Sequence, residues 1–178
     1  MLLRLLFLLA SLALTGTTTA QDFRFDLRTG TGVYHTGALD MRGLMVENEL
    51  NYTLNRKFTI SAQFALGRSN TGVGATSNFL QTNGTLFWSP FGNDGRHDFR
   101  LGAGVGYASI ADAYTSRTEF LNNQIVDEDY TFRDRRESGA NLVIEHTYAL
   151  TPRLLLGGKA FVQTYANAGL LLKLGVRL

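Results

Sequence analysis

Apolar and polar residues alternate along most of this chain, with a period of two residues. In the closing stretch "AGLLLKLGVRL", residues 168–178, Leu172 and Leu174 fall on one side of an extended chain, whereas Lys173 and Arg177 fall on the other. Successive side chains of a β-strand point to opposite faces, so this alternation predicts a strand. As a helix, the same stretch would carry leucines on every side and would leave its two cations without a polar face.

The alternation recurs in eight segments, which predict eight strands. They are residues 23–35, 44–54, 57–67, 78–88, 99–108, 140–150, 154–165 and 168–178. The fourth segment is the least regular, because Phe79 and Phe87 lie with its polar residues. Most of these segments have the length that a tilted strand needs to cross a bilayer, about 9–11 residues.

The connections between the segments alternate between two kinds. The short ones contain Asn55–Arg56, the turn-rich stretch 89–98 and residues 151–153, and the others are residues 36–43, 68–77, 109–138 and 165–168. Short turns at one end and longer loops at the other are typical of a membrane barrel. The last loop is shorter than this pattern predicts.

Alternation also fits a soluble barrel with an apolar interior, and three features favour the inverted arrangement. The polar face carries small residues such as Ser61, Gly102, Gly104 and Ala108, which suit a narrow lumen better than a solvated surface. The apolar face carries aromatic residues near the short turns, namely Tyr52, Phe58, Trp88, Phe99 and Tyr148. Such a girdle marks a membrane interface. The third feature is a sequence that indicates export.

The first twenty residues have the pattern of a secretory signal peptide. Arg4 precedes an apolar run over residues 5–14, and small residues end at Ala20. We therefore predict residues 1–20 as a signal peptide and residues 21–178 as one barrel domain. The sequence contains no cysteine, so a disulfide framework and lipoprotein acylation are excluded, and its formal net charge of +2 does not favour nucleic-acid binding.

These features resemble one known family. The turn segments "YTLNRKFTI" and "YALTPRLLLGG", at residues 52–60 and 148–158, are similar to those of small outer-membrane β-barrel proteins of the OmpA/OmpX type. The resemblance implies an all-β, eight-stranded, antiparallel up-and-down transmembrane barrel, present as a monomer in the bacterial outer membrane. It also implies outer-membrane lipid, lipopolysaccharide and the assembly machinery as partners. Leu178 stands where the family usually ends in an aromatic residue.

With the polar face inward, the lumen receives ten charged residues. They are Arg24, Arg28, Arg100, Lys159, Lys173 and Arg177, and Asp26, Glu47, Glu49 and Glu145. Buried charges must pair, and an eight-stranded barrel is only wide enough for its own side chains. We therefore expect a salt-bridged plug and a structural or surface-interaction role. The alternative is a small porin or ion channel.

Some barrels of this size modify lipid A, which makes an enzyme the second alternative. The chain has three histidines, His35, His97 and His146, and we expect no two of them to share a site. The His-x-Ser pairing of lipid A deacylases is absent, because Thr147 follows His146. The acidic run 127–129 lacks the spacing of a calcium loop. We therefore predict that the chain is not an enzyme and has no catalytic residues, cofactor or metal.

The longest polar segment, residues 110–137, lies between the fifth and sixth predicted strands. Alternation continues on both sides of Asn122–Asn123, which predicts a hairpin that extends the two strands beyond the membrane. A surface partner could bind this hairpin by strand addition. Arg133, Arg135 and Arg136 lie near the predicted membrane rim, where they could contact lipid phosphates.

Overall fold

A computed structural model of the chain describes residues 24–36, 41–70, 76–121, 124–164 and 167–178. The predicted signal peptide, residues 1–20, lies outside the described residues. Within them the chain forms eight strands and no helix that is long and apolar enough to cross a membrane. The strands are β1 (Phe25–Thr36), β2 (Met41–Thr53), β3 (Phe58–Asn70), β4 (Thr76–Trp88), β5 (His97–Leu121), β6 (Gln124–Ala149), β7 (Leu154–Gln163) and β8 (Asn167–Arg177).

Each strand pairs with its neighbours in sequence, and β1 pairs with β8, so the sheet is a closed barrel. Every pair is antiparallel. Closure leaves no open edge along the shared length of the strands, which satisfies the backbone groups of a sheet that faces lipid. The predicted all-β, eight-stranded, up-and-down antiparallel barrel is confirmed.

Side chains within the short connections explain why the chain reverses there. The side-chain oxygen of Asn55 accepts hydrogen bonds from the backbone N–H groups of Lys57 and Phe58, at 2.8 and 3.0 Å. The hydroxyl of Thr151 accepts from the N–H groups of Arg153 and Leu154, at 3.3 and 2.9 Å. Asn and Thr are common in turns for this reason, since their side chains replace a backbone partner. These connections share one end of the barrel, which we call the turn end, and we call the opposite end the loop end.

The fifth and sixth strands are about twice as long as the others, with 25 and 26 residues. Their partners stop earlier, because β4 pairs with β5 only as far as Ala113 and β7 pairs with β6 only from Asn141 onwards. The hairpin therefore extends beyond the loop end of the barrel, with two irregularities in its ladder. The prediction of an extended hairpin across residues 110–137 is confirmed, while its turn, residues 122–123, lies outside the described residues.

Exposure separates the two faces of the wall. Apolar residues of the exterior are largely accessible, as shown by Leu172 (72%), Val105 (71%) and Leu44 (69%). Polar residues of alternate positions are buried inside the barrel, as in the run Thr59, Ser61 and Gln63 of β3 (2%, 1% and 4%). An accessible surface this apolar around a polar interior is the reverse of a soluble barrel, so the predicted orientation is confirmed. Val176, assigned to the exterior from its sequence position, is only 5% exposed.

Candidate functional site in the barrel lumen

The centre of the lumen holds a cluster of buried ion pairs around two glutamates. Glu145 accepts from Arg100 at 2.5 Å, from Lys173 at 3.0 Å and from Arg28 at a shorter distance. Glu49 accepts from Lys173 and lies 3.3 Å from an Arg100 nitrogen. All five side chains are at most 4% exposed. Two carboxylates thus bind three cations without access to water.

Two further pairs extend the cluster to both sides. The Nζ atom of Lys159 lies 2.7 and 2.8 Å from the two carboxylate oxygens of Glu47. It also donates to Gln63 at 3.1 Å. On the other side, Asp26 accepts from the Nε atom of Arg28 at 2.6 Å and from Asn51 at 2.8 Å. Few polar atoms of these side chains are left without a partner, as low-dielectric surroundings require.

The strand register explains how these residues meet. Arg28 lies directly opposite Glu49 in the β1–β2 pair, and Arg100 lies opposite Glu145 in the β5–β6 pair. Glu145 also lies opposite Lys159 in the β6–β7 pair. Opposite charges at facing positions are the favourable arrangement in a sheet. Because the barrel is narrow, the longer side chains also reach across the lumen to strands that are not neighbours.

The structure brings eight of the ten predicted lumen charges into this central cluster, four cations and four anions. They are Asp26, Arg28, Glu47, Glu49, Arg100, Glu145, Lys159 and Lys173. Arg24 and Arg177 lie apart from it at the turn end. Arg24 precedes β1 and is exposed, whereas Arg177 is partly buried. Both line a cavity of about 400 Å³ that enters the lumen from the turn end.

A buried cluster of apolar side chains lies mainly in the loop-end half of the lumen, which sequence reasoning did not predict, and buried polar residues such as Gln81 and Gln163 lie beside it. The buried cluster comprises Tyr34, Met45, Ala65, Phe79, Phe87, Ala108, Ile110, Val143, Phe161 and Leu171. The rings of Tyr34 and Phe79 meet edge to face at 4.6 Å, and Phe87 lies 4.4 Å from the guanidinium carbon of Arg100. The signal was present in the sequence, since Phe79 and Phe87 broke the alternation by lying with the polar residues.

Three buried or half-buried acidic residues, Asp98, Asp112 and Glu137, were also missed, because they lie next to a turn or in the long hairpin. Asp98, at the start of β5, accepts a hydrogen bond of 2.8 Å from Ser89. Near the loop end, Arg135 donates to Asp112 at 2.9 Å and to Glu137 at 2.6 Å. Arg135 is one of the three arginines predicted near the membrane rim. Its side chain instead pairs with two carboxylates on the inner face of the wall.

The five predicted girdle residues lie on the exterior near the turn end. Phe58 and Trp88 are register partners, 38% and 46% exposed. Tyr52 packs against Phe25 with ring centroids 4.8 Å apart. Phe99 and Tyr148 occupy exterior positions of β5 and β6. Aromatic residues at one level of an apolar exterior have the placement of an interfacial belt.

The expectation that no two histidines share a site is wrong. His97 Nδ1 lies 3.2 Å from His146 Nε2, and the ring of Tyr148 lies 4.9 Å from that of His97. The register is the reason, because His97 is opposite Tyr148 while His146 is opposite Phe99, which makes the histidines diagonal neighbours. The pair lies on the exterior at the turn end. In the described part of the chain, no group of three or more His, Asp or Glu side chains has the arrangement of a metal site.

Comparison with known proteins shows the fold but no sequence relative. No family model matches the chain, and no curated protein matches it. Among solved structures, Neisserial surface protein A superposes with a TM-score of 0.60 at 10% identity, over 86% of this chain and 96% of that one. The N-terminal β-barrel domain of Pseudomonas aeruginosa OprF gives 0.56 at 12% identity, over 88% and 98%. Ail, the attachment invasion locus protein of Yersinia pestis, gives 0.53 at 10%, over 85% and 94%, in complex with the heparin analogue sucrose octasulfate.

The closed antiparallel barrel, its apolar exterior and its polar interior give this chain the fold of the small outer-membrane β-barrels to which it is similar. In such barrels short turns face the periplasm and longer loops face the outside. The same orientation would place the turn end of this chain at the periplasm and the extended β5–β6 hairpin on the extracellular side.

Proposed function

We propose that this chain is a closed outer-membrane barrel with a structural and surface-interaction role, and that its lumen does not conduct. The observation that carries the proposal is the central cluster, in which four cations and four anions from different strands are buried against one another. An eight-stranded barrel has room for little more than its own side chains. A path for ions through this level would require several of these pairs to separate.

The apolar half supports the same proposal, because it forms a second barrier. Phe79, Phe161 and Leu171 are at most 6% exposed and lie on the extracellular side of the charged cluster. A hydrophobic constriction opposes the passage of hydrated ions, since it offers no polar atoms to replace their water. A solute that crosses the lumen would meet both levels in succession.

Planar-bilayer recording tests the closed lumen. The purified full-length chain should give no large, steady open channels at moderate voltage. As a matched control, the double variant Phe79→Ala/Phe161→Ala widens only the apolar level and should remain closed, because the ion pairs are intact. Steady openings of the unmodified protein would instead support the alternative, a small porin or ion channel.

The surface role rests on the β5–β6 hairpin. In the part of the chain that the structure describes, no strand pairs with β6 between Gln124 and Gly139 on the side away from β5. Such an edge can accept a further strand from a partner. Arg133 and Arg136 are exposed on the same segment and could bind the phosphates of lipopolysaccharide. Ail, which shares the fold, was crystallised with a polyanion, sucrose octasulfate.

Limited proteolysis of whole cells tests the position of the hairpin. Trypsin should cleave within residues 114–133 while the barrel remains intact, because only the hairpin extends beyond the membrane. The variant Arg133→Gln/Arg136→Gln should keep its heat-modifiable migration on a detergent gel and bind lipopolysaccharide more weakly. Complete protection of the hairpin in intact cells would contradict this part of the proposal.

A lipid A-modifying activity is the remaining alternative. The one histidine pair lies at the periplasmic end on the exterior, and the structure gives it no hydroxyl nucleophile or carboxylate as a hydrogen-bond partner among the described residues. A nucleophile needs its base within hydrogen-bond reach. Mass spectrometry of lipid A from cells with and without the protein separates the two functions, and a mass change on expression would support the enzyme.

A further inference from the structure

We propose that the periplasmic mouth of the lumen is a binding site for a phosphoryl group, carried by a soluble phosphate monoester. The mouth is a cavity of about 400 Å³ between the central cluster and the periplasm. Five arginines line it. Arg28 and Arg100 pair with glutamates of the central cluster and Arg56 pairs with Asp94, which leaves Arg24 and Arg177. The proposal goes beyond the closed lumen, because it requires only that the cavity be reached from the periplasm.

The three aspartates of the mouth are already occupied by other groups. Asp26 accepts hydrogen bonds from Arg28 and Asn51. Asp94 pairs with Arg56 at 2.7 Å, and Asp98 accepts from Ser89. Asp26 and Asp94 are therefore already paired with arginines of the mouth, whereas Asp98 receives its hydrogen bond from a neutral side chain.

Two of the arginines have no such partner. Among the described residues, neither Arg24 nor Arg177 forms an ion pair or a side-chain hydrogen bond, although Arg177 is partly buried. The Nε atom of Arg100 is also without a hydrogen-bond partner, but it is buried and lies 3.8 Å from an Asp98 oxygen, so Arg24 and Arg177 are the donors open to a ligand. Arg100 is 1% exposed and lines the same cavity.

The chemistry of guanidinium groups identifies the class of ligand. Each group presents a planar set of N–H donors that matches the oxygens of a phosphoryl group. Arg177 of β8 and Arg24 of the segment before β1 line one cavity, so a single oxyanion could accept from both of them. The cavity is larger than one free phosphate, which leaves room for the organic part of a monoester.

Isothermal titration calorimetry tests the site with the full chain refolded in a maltoside detergent, which contains no phosphate. Glycerol 3-phosphate and inorganic phosphate should each bind saturably at one site, whereas glycerol should not bind. The variant Arg24→Gln/Arg177→Gln should weaken phosphate binding by about tenfold or more. The matched control Arg42→Gln/Arg68→Gln removes the same charge from two exposed positions near the loop end and should leave binding unchanged.

The outcomes separate a site from general electrostatic attraction. Equal weakening in both double variants, or absence of saturable binding by the unmodified protein, would overturn the proposal. Heat-modifiable migration confirms that each variant is folded. If Arg24→Gln/Arg177→Gln does not fold, then Arg24→Lys/Arg177→Lys keeps the charge, loses the planar donor set and should still reduce affinity.

A second arm distinguishes a soluble ligand from a lipid headgroup with the same chemistry. The titration is repeated in nanodiscs of phosphatidylglycerol and in nanodiscs made with a neutral glycolipid. Unchanged binding of glycerol 3-phosphate in both supports the soluble ligand. Loss of glycerol 3-phosphate binding only in the phosphatidylglycerol nanodiscs would show that a lipid phosphate fills the cavity. That result would overturn the proposal that the ligand is a soluble monoester.

Discussion

The two halves of the lumen are filled in different ways. On the periplasmic side, residues such as Arg100 and Glu145 are buried as ions and are stabilised by one another. On the extracellular side, residues such as Phe79 and Leu171 are buried as apolar groups and are stabilised by packing. Both halves lie inside the same wall and belong to strands with the same alternation. The interior of this barrel therefore combines a charged cluster with an apolar cluster, and buried polar residues such as Gln81 and Gln163 lie beside the apolar one.

The difference shows how a narrow barrel excludes water by two routes. A buried ion pair stabilises a fold only when both partners are present, because each charge alone carries a desolvation penalty of several kcal/mol. An apolar core tolerates change in proportion to the volume that is lost. We therefore expect the charged half to respond to the loss of one partner and the apolar half to respond to the loss of volume.

The largest effect is expected at Glu145, which accepts hydrogen bonds from Arg28, Arg100 and Lys173. The change Glu145→Ala leaves these cations with too few anions and should lower the free energy of unfolding by about 3–5 kcal/mol. Urea unfolding in lipid vesicles, followed by tryptophan fluorescence, measures it. Glu137→Ala is the control, because Glu137 is partly exposed and its loss should change stability by less than about 1 kcal/mol. Equal effects would show that burial does not distinguish the two glutamates.

In the apolar half, Phe79→Ala should lower the free energy of unfolding by about 3–4 kcal/mol, because it leaves a cavity beside Tyr34. The neighbouring change Leu80→Ala on the lipid-facing side loses transfer energy without an internal cavity, and should lower it by at most about 2 kcal/mol. The same vesicle assay compares them. If the two variants are equally stable, the loop-end half is not a packed core.

A third prediction asks whether the charged half could be made apolar. Lys159→Met alone leaves Glu47 without its main partner and should lower the free energy of unfolding by about 3 kcal/mol. The double variant Lys159→Met/Glu47→Met removes both charges and should recover to within about 1 kcal/mol of the unmodified protein. A double-mutant cycle measures the coupling. Additive losses would mean that the cluster depends on this pair for more than charge balance.

The smallest effects are expected at two glycines that differ in their surroundings. A Cβ atom on Gly67 would lie 2.1 Å from a ring carbon of Phe79, so Gly67→Ala should lower the free energy of unfolding by about 1–3 kcal/mol. A Cβ atom on Gly84 would meet no atom within 4 Å, and Gly84→Ala should be close to neutral. Adding Phe79→Leu should relieve the Gly67 variant. No relief would show that the ring is not the obstacle.

Alternation alone predicted the fold, because the requirement for an apolar exterior applies to every strand that faces lipid. Leu172 and Ile60 face the exterior, as their positions in the alternation of apolar and polar residues predict. Glu49 and Lys173 were also assigned to the lumen from the alternation, which predicted Glu47, Glu49 or Glu145 as partners of Lys173, and Lys173 contacts all three. The alternation predicts which face of the wall a residue occupies, whereas the choice of partner across the lumen depends on the register of all eight strands.

Other features depended on geometry that the sequence does not carry. The contact of His97 with His146 results from a diagonal in the β5–β6 register, which adjacent sequence positions do not reveal. The apolar cluster was missed because Phe79 and Phe87 were treated as irregularities of a polar face. Asp98 was assigned to a turn, although it is 5% exposed and begins a strand.

The central cluster also has a consequence for how the barrel folds. Its partners are far apart in the chain, since 117 residues separate Arg28 from Glu145 and 124 separate Glu49 from Lys173. These charges find one another only when the first and last strands meet, so an open sheet in the bilayer would hold several of them unpaired. We therefore expect partly closed intermediates to be disfavoured and folding to be slow and cooperative, because the contacts are non-local. We also expect the opening of the β1–β8 seam to limit the rate of unfolding, which would give the barrel kinetic stability in the membrane.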